Sequence, residues 1–166
     1  MDKAKSIQLL NNAVGDELQA IHQYMYFHFH LDDQGLGPLA ALFKRIAIQE
    51  MGHLERLSDR VLFLKGDIEM VAAGPVTKVQ EPEAILKQAM VMEQDGMDTY
   101  NKAAIACSAN EDAASKKLFE ELVGDEETHF DQFEQQLDNI RRFGPSYLAL
   151  QSFGANEPSG GGPAGQ

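Results

Sequence analysis

Glu50-Met51-Gly52-His53 and Glu126-Glu127-Thr128-His129 are one device used twice. Each Glu-x-x-His sets a carboxylate and an imidazole one turn apart on a single helix face. Each has a lone glutamate 33 residues upstream, Glu17 for the first and Glu93 for the second. A constant offset of 76 residues relates the halves, taking Glu17 to Glu93, Glu50 to Glu126, His53 to His129 and Tyr24 to Tyr100. One Glu-x-x-His alone says little, because most such pairs are solvated. Two of them, each at the same distance from a third carboxylate, describe a chain made of two copies of a helix pair. Four-helix bundles that hold two metal ions in a carboxylate cage are built from such parts.

The surrounding residues carry the matching periodicity. Ile7, Leu10, Val14, Glu17, Leu18, Ile21, Tyr24, Met25 and His28 recur at three- and four-residue steps and predict a helix over about Lys3 to Asp32. Gln34-Gly35-Leu36-Gly37-Pro38 ends it. A second helix is expected from Pro38 to Lys65, with Leu42, Ile46, Glu50, His53, Leu57, Val61 and Leu64 on one stripe and Gly66 as its cap. A third is expected from Glu83 to Ser108, with Leu86, Ala89, Glu93, Met97, Tyr100 and Ala104 facing in. A fourth is expected from Ala113 to Phe143, with Phe119, Leu122, Glu126, His129, Phe133, Leu137 and Ile140 facing in. The linker from Asp67 to Pro82 is too long for a tight turn. At roughly 3.3 Å per extended residue it can cross the length of the bundle and leave the second and third helices parallel. After Gly144-Pro145, residues from Ser146 to Phe153 predict a short fifth helix capped by Ser146. The fold class is therefore all-α, a four-helix bundle with one long crossover. Residues 1–153 read as one domain, and the Gly/Pro-rich tail 154–166 is expected to be disordered.

The ligand-type residues lie on the apolar stripes. Glu50 sits between Ile46 and Leu57, where an aliphatic side chain would pack better. A buried carboxylate without a partner is expensive, and four together repel one another. No Lys or Arg shares these stripes near them. Two divalent cations would balance the four carboxylates, and two neutral imidazoles would supply nitrogen ligands. An oxygen-rich set without thiolates disfavours structural zinc and suits Fe²⁺ or Mn²⁺ with open positions. Tyr24 and Tyr100 lie two turns beyond Glu17 and Glu93, where their hydroxyls can orient cage carboxylates.

Composition limits the rest. The 166 residues carry a formal net charge of −12, which argues against nucleic-acid binding and suits attraction of cations. The single cysteine, Cys107, excludes an internal disulfide and any rubredoxin-type iron centre, and reads as a small core residue. No apolar run reaches membrane-spanning length, and Met1-Asp2-Lys3-Ala4-Lys5 has no secretory character, so a cytoplasmic protein is expected.

Several stretches together resemble the bacterioferritins. They are Glu17 to Tyr24, Ile48 to His53, Val61 to Gly66, Asp125 to His129 and the Tyr147-Leu148 segment. The match covers nearly the whole chain to Phe153 and includes the methionine inside the first Glu-x-x-His. The resemblance implies a ferritin-like bundle assembled into a hollow shell of 24 subunits built from two-fold dimers. It implies ferroxidase ligands Glu17, Glu50, His53, Glu93, Glu126 and His129, with Glu50 and Glu126 bridging a di-iron centre. The implied function is iron storage: oxidation of Fe²⁺ with O₂ or H₂O₂, and deposition of ferric mineral in the shell. It also implies a haem shared between two subunits, with Met51 as axial ligand, and a small ferredoxin as reductant. Independently, Met51 follows Glu50 by one residue, so it lies about 100° round the helix, off the inward stripe.

Two departures stand out. The family carries Asp where this chain has Gln49, and Arg45 stands where a neutral or His side chain is expected. Both bear on an accessory iron site on the cavity wall. His28 reads as a satisfied core histidine; His22 and His30 have no assigned role. Two rivals remain. One is a di-iron peroxidase or oxidase of the rubrerythrin type, which stores nothing. The other is a non-enzymatic shell subunit, against which the intact ligand set argues.

Overall fold

In the computed structural model, which describes residues 1–153, four long helices and one short one account for nearly all the regular structure. They are α1 (Lys3–Asp33), α2 (Gly37–Phe63), α3 (Pro82–Ala109), α4 (Ala113–Phe143) and α5 (Pro145–Phe153). The sequence stripes define these helices to within a residue or two at most ends. The expected tail, 154–166, lies outside the described residues.

Side chains mark where the helices begin. Asp2 accepts from the Ala4 and Lys5 amides, Glu81 from the Glu83 and Ala84 amides, and Asp112 from the Ser115 amide. Each satisfies amides that the first turn leaves without a partner. Pro38 and Pro82 occupy first-turn positions, where proline's missing N–H costs nothing.

The first three helices end in the same way. The Leu36 amide donates to the Leu31 carbonyl, the Gly66 amide to Val61 and the Asp112 amide to Cys107, each beyond one residue of left-handed backbone. Those residues are Gly35 (φ 76°), Lys65 (φ 69°) and Glu111 (φ 59°). Gly35 and Glu111 are themselves 76 residues apart, so the repeat extends into the turns. Gly66 is therefore not the left-handed cap expected of it; Lys65 is. Gly66 is needed for space, because a Cβ there would lie 2.8 Å from the Ile7 side chain. Ser146 likewise does not cap α5, which starts one residue earlier at Pro145.

Hydrogen bonds between helices give the topology. Tyr24 of α1 meets Glu93 of α3, while Glu17 meets Tyr100, so α1 and α3 run antiparallel. The pairs Arg45–Gln132, Arg56–Glu121 and Arg60–Asp112 do the same for α2 and α4. With α1 and α2 joined as an antiparallel hairpin, α2 and α3 are parallel, as the long crossover requires. That crossover is strapped along α1. The buried Asn11 amide donates to the Asp67 carbonyl and accepts from the Glu69 N–H, and Gln23 makes the same pair of bonds with Thr77. Between them the Ala73 N–H donates to the Gly15 carbonyl at 2.9 Å. Two buried amides thus have every partner they need.

The core is in two layers. One contains Tyr24, Phe27, Phe43, Ile46, Ile85, Leu86, Phe133 and Leu137. The other contains Leu10, Val14, Leu57, Val61, Tyr100, Cys107, Phe119 and Leu122. On each long helix the buried carboxylate falls between the two layers. Burying one of the larger of these side chains contributes about 1.5–3 kcal/mol, so the layers can carry a polar belt that stabilises nothing by itself. His28 is satisfied by the Ala40 carbonyl at 2.9 Å, as expected.

Candidate metal centre

Glu17, Glu50, Glu93, Glu126, His53 and His129 all converge on the middle of the bundle, each no more than 5 % exposed. Each long helix delivers its share from a stripe that is apolar on both sides. Ligand atoms of Glu17, Glu50, His53 and Glu126 lie within 4.8 Å of one another, and so do those of Glu50, Glu93, Glu126 and His129. Glu50 and Glu126 belong to both groups, which makes them the side chains able to bridge two ions. The two imidazole rings lie near-parallel, with centroids 5.7 Å apart.

Six buried atoms here have no hydrogen-bond partner: both carboxylate oxygens of Glu50, Glu93 Oε2, Glu126 Oε1 and the Nδ1 atoms of both histidines. They are close to one another, with His53 Nδ1 2.8 Å from Glu50 Oε2 and His129 Nδ1 3.1 Å from Glu50 Oε1. They nevertheless aim at shared space and not along donor–acceptor lines. Native interiors rarely leave polar atoms in this condition. Acceptors and imidazole nitrogens gathered around one centre are what a pair of cations requires, so the residues fit a di-metal site.

Charge tells the same story. Burial raises Glu17 to about 8, and repulsion from Glu50 adds to it. Glu93 is pushed well above the carboxylate range by burial and by its close contact with Glu126. Glu126 goes the other way; contacts with Glu93 and both histidines overcome the cost of burial. Burial disfavours the imidazolium form of both histidines, but the surrounding carboxylates outweigh it, pushing His129 up to about 12 and His53 up as well. Around neutral pH the cage is therefore held together by protons. A cation must displace them, so binding releases protons and weakens as pH falls through these raised values.

The tyrosines do orient the cage, but across it. Tyr24 from the first copy donates to Glu93 of the second, and Tyr100 from the second donates to Glu17 of the first at 2.7 Å. Their rings also fill the core, Tyr24 against Phe43 and Phe133, Tyr100 against Phe119. Both the packing role and the orienting role hold.

Two openings lead to the cage. Between α1 and α3 a cavity reaches Glu17, Glu93 and Glu126 past Asp16, Asp95 and Gly96. A Cβ at Gly96 would lie 3.7 Å from the Glu126 carboxylate, so glycine keeps this opening wide. Its counterpart at the 76-residue offset is the small Ala20, so a small residue at this point of each copy is the sequence signal of the opening. Between α2 and α4 a second opening is lined by His53 and His129 together with Gln49, Arg56 and Asp125. Asp125 Oδ2 lies 3.2 Å from His53 Nε2, a partnership not anticipated from the sequence. Met51 stands apart from the cage on the outer face of α2, 54 % exposed. Arg45 is exposed and donates to Gln132 at 2.9 Å.

Residues 7–143 match the ferritin-like domain. A bacterioferritin of Desulfovibrio desulfuricans is 36 % identical over 147 residues, covering 89 % of this chain and 82 % of that protein. One of Rhodobacter capsulatus is 37 % identical over 148 residues, covering 89 % and 91 %. This chain belongs to the bacterioferritin family. Solved structures agree. The D. desulfuricans bacterioferritin, described with its di-iron site in different catalytic states, superposes with a TM-score of 0.89 at 35 % identity, covering 99 % of this chain and 94 % of that one. The R. capsulatus bacterioferritin, described with a metal-free dinuclear site and haem iron in a crystallographic special position, gives 0.86 at 35 % identity over 92 % and 94 %. Among the described residues of this chain no helix is long and apolar enough to cross a membrane.

Tyr24→Phe keeps the packed ring and deletes the hydroxyl that holds Glu93. A buried acceptor left without its donor costs about 1–3 kcal/mol. Chemical denaturation of the metal-free variant should show a loss of that size; unchanged stability would mean the hydroxyl does not hold the cage.

Proposed function

We propose that this chain is an iron-storage ferroxidase that takes two Fe²⁺ ions as substrate between Glu17–His53 and Glu93–His129. The observation that carries the reading is the set of six unpartnered buried atoms on Glu50, His53, Glu93, Glu126 and His129, gathered with Glu17 into two overlapping groups of ligand type. Glu50 and Glu126 are the bridging carboxylates, and the four charges of the carboxylates match those of two divalent ions. Two neighbouring Fe²⁺ ions together supply the two electrons that convert O₂ and two protons to H₂O₂, leaving two Fe³⁺. The protein's part is to hold both ions at once, to keep the site between two dry layers and to accept the change in charge. The acidic rim at Asp16 and Asp95 draws cations toward the cage. O₂ or H₂O₂ serves as oxidant, and the ferric product is stored as mineral within a shell of 24 such subunits built from two-fold dimers. The protein acts in the cytoplasm.

A haem group bound between two copies would supply a path for electrons to the stored iron. Met51 fits the part of axial ligand: its thioether is exposed on α2 beside exposed Ile48, and a two-fold axis would present it twice. A small ferredoxin is the proposed reductant.

Aerobic addition of Fe²⁺ to the metal-free protein should continue to many tens of soluble irons per subunit, and Glu93→Ala should abolish the rapid oxidation. Uptake that stops near two per subunit would replace storage with the fixed di-iron peroxidase reading. Oxidation at the full rate in Glu93→Ala would refute the assignment of the centre. Met51→Leu should eliminate haem binding in spectra of the reconstituted protein without altering Fe²⁺ oxidation; haem retained with an unchanged spectrum would remove Met51 from that role.

A further inference from the structure

The six ligand-type residues and the two tyrosines correspond pair by pair across the two halves of the cage. Both histidines turn Nδ1 inward, where it has no hydrogen-bond partner. Both terminal glutamates are held by the tyrosine of the opposite copy. Behind the rings the correspondence fails. His53 Nε2 faces Asp125 Oδ2 at 3.2 Å, and Arg56 holds the same Asp125 oxygen at 3.4 Å while also pairing with Glu121. The residue 76 places before Asp125 is Gln49, a neutral amide lining the same opening beside His129. Among the described residues, the carboxylates within 4 Å of His129 are Glu50, Glu93 and Glu126, all approaching Nδ1. Nε2 of His129 therefore has no anionic partner.

Resting on the di-metal reading, we infer that Asp125 makes the two metal positions unequal, so that the Glu17–His53 position takes the first divalent cation and holds it more tightly. An anionic acceptor behind an imidazole keeps the proton on Nε2, leaves the Nδ1 lone pair for the metal, fixes the plane of the ring and raises its basicity. His129 lacks that support. Losing such a partner typically lowers metal affinity about 10–100-fold, which is the gap expected between the two positions. Arg56 moderates the charge of Asp125 but also fixes its direction. The sequence signal is the mismatch of Gln49 with Asp125 directly before the matched pair Glu50 and Glu126. Asp125 is a positioning residue; it acts through His53 and does not reach the cage. The consequence for the centre is order: the Glu17–His53 position is occupied at low cation concentration, and the pair is completed only when the Glu93–His129 position fills.

The test is an anaerobic Co²⁺ titration of the whole metal-free protein, followed by visible absorption and calorimetry. The wild type should bind two Co²⁺ per subunit in two steps separated by at least about tenfold. Asp125 is half exposed, so Asp125→Asn should leave the fold intact while weakening the tighter step by about tenfold or more. Gln49→Asp should strengthen the weaker step and narrow the gap. Two equal steps in the wild type would overturn the inference. So would two steps that neither variant moves, because repulsion between the cations would then explain them. In both cases the di-metal reading would survive. Total binding below two per subunit would sink that reading itself, and the inference with it.

Discussion

Four carboxylates repel one another across a few ångströms of dry interior, and no Lys or Arg side chain reaches in among them. The cost has to be met by the rest of the molecule whenever no cation is present. It is met in three ways. Two apolar layers, one around Phe27, Phe43 and Phe133 and the other around Leu57, Val61 and Phe119, clamp the helices on either side. Protons shared among Glu17, Glu93 and the two imidazoles reduce the net charge. Tyr24 and Tyr100 tie the first and third helices together through the carboxylates themselves. The centre is thus a destabilised site in a stable frame, the usual arrangement where function needs strain.

The same frame dictates what can reach the centre. Small residues at 20 and 96 open the α1–α3 side onto the carboxylates, whereas the imidazoles line the opening on the α2–α4 side. A cation arriving by the acidic opening meets oxygen ligands first. The crossover lies along α1 without covering this opening because Asn11, Gly15 and Gln23 hold its backbone bond by bond. The irregular segment is therefore as much a part of the site's geometry as the helices.

Most of this was legible in the sequence. The inward stripes of α2, α3 and α4 are buried as their periodicity requires, with only Met97 half exposed, because a helix between apolar layers has one face to hide. The parallel course of α2 and α3 followed from linker length alone. What was not legible depended on contacts between copies. Periodicity placed Tyr24 and Tyr100 on the inward faces but could not say that each serves the other copy's glutamate. The left-handed cap at Lys65 was missed because glycine, the residue that adopts that backbone at least cost, stands one place later for reasons of space. In the sequence Gln49 reads only as a departure from the family, and Asp125, its counterpart 76 residues on, shows no role there because its partner His53 lies on another helix. Its role needs the distance across the α2–α4 opening.

The central claim is that six side chains hold two ions at defined places. Anomalous diffraction from crystals soaked anaerobically with Fe²⁺ tests it most directly. The account predicts two anomalous peaks per subunit, one beside Glu17 and His53 and one beside Glu93 and His129, with Glu50 and Glu126 between them. A single peak, or peaks outside the cage with the six atoms still unpartnered, would contradict it.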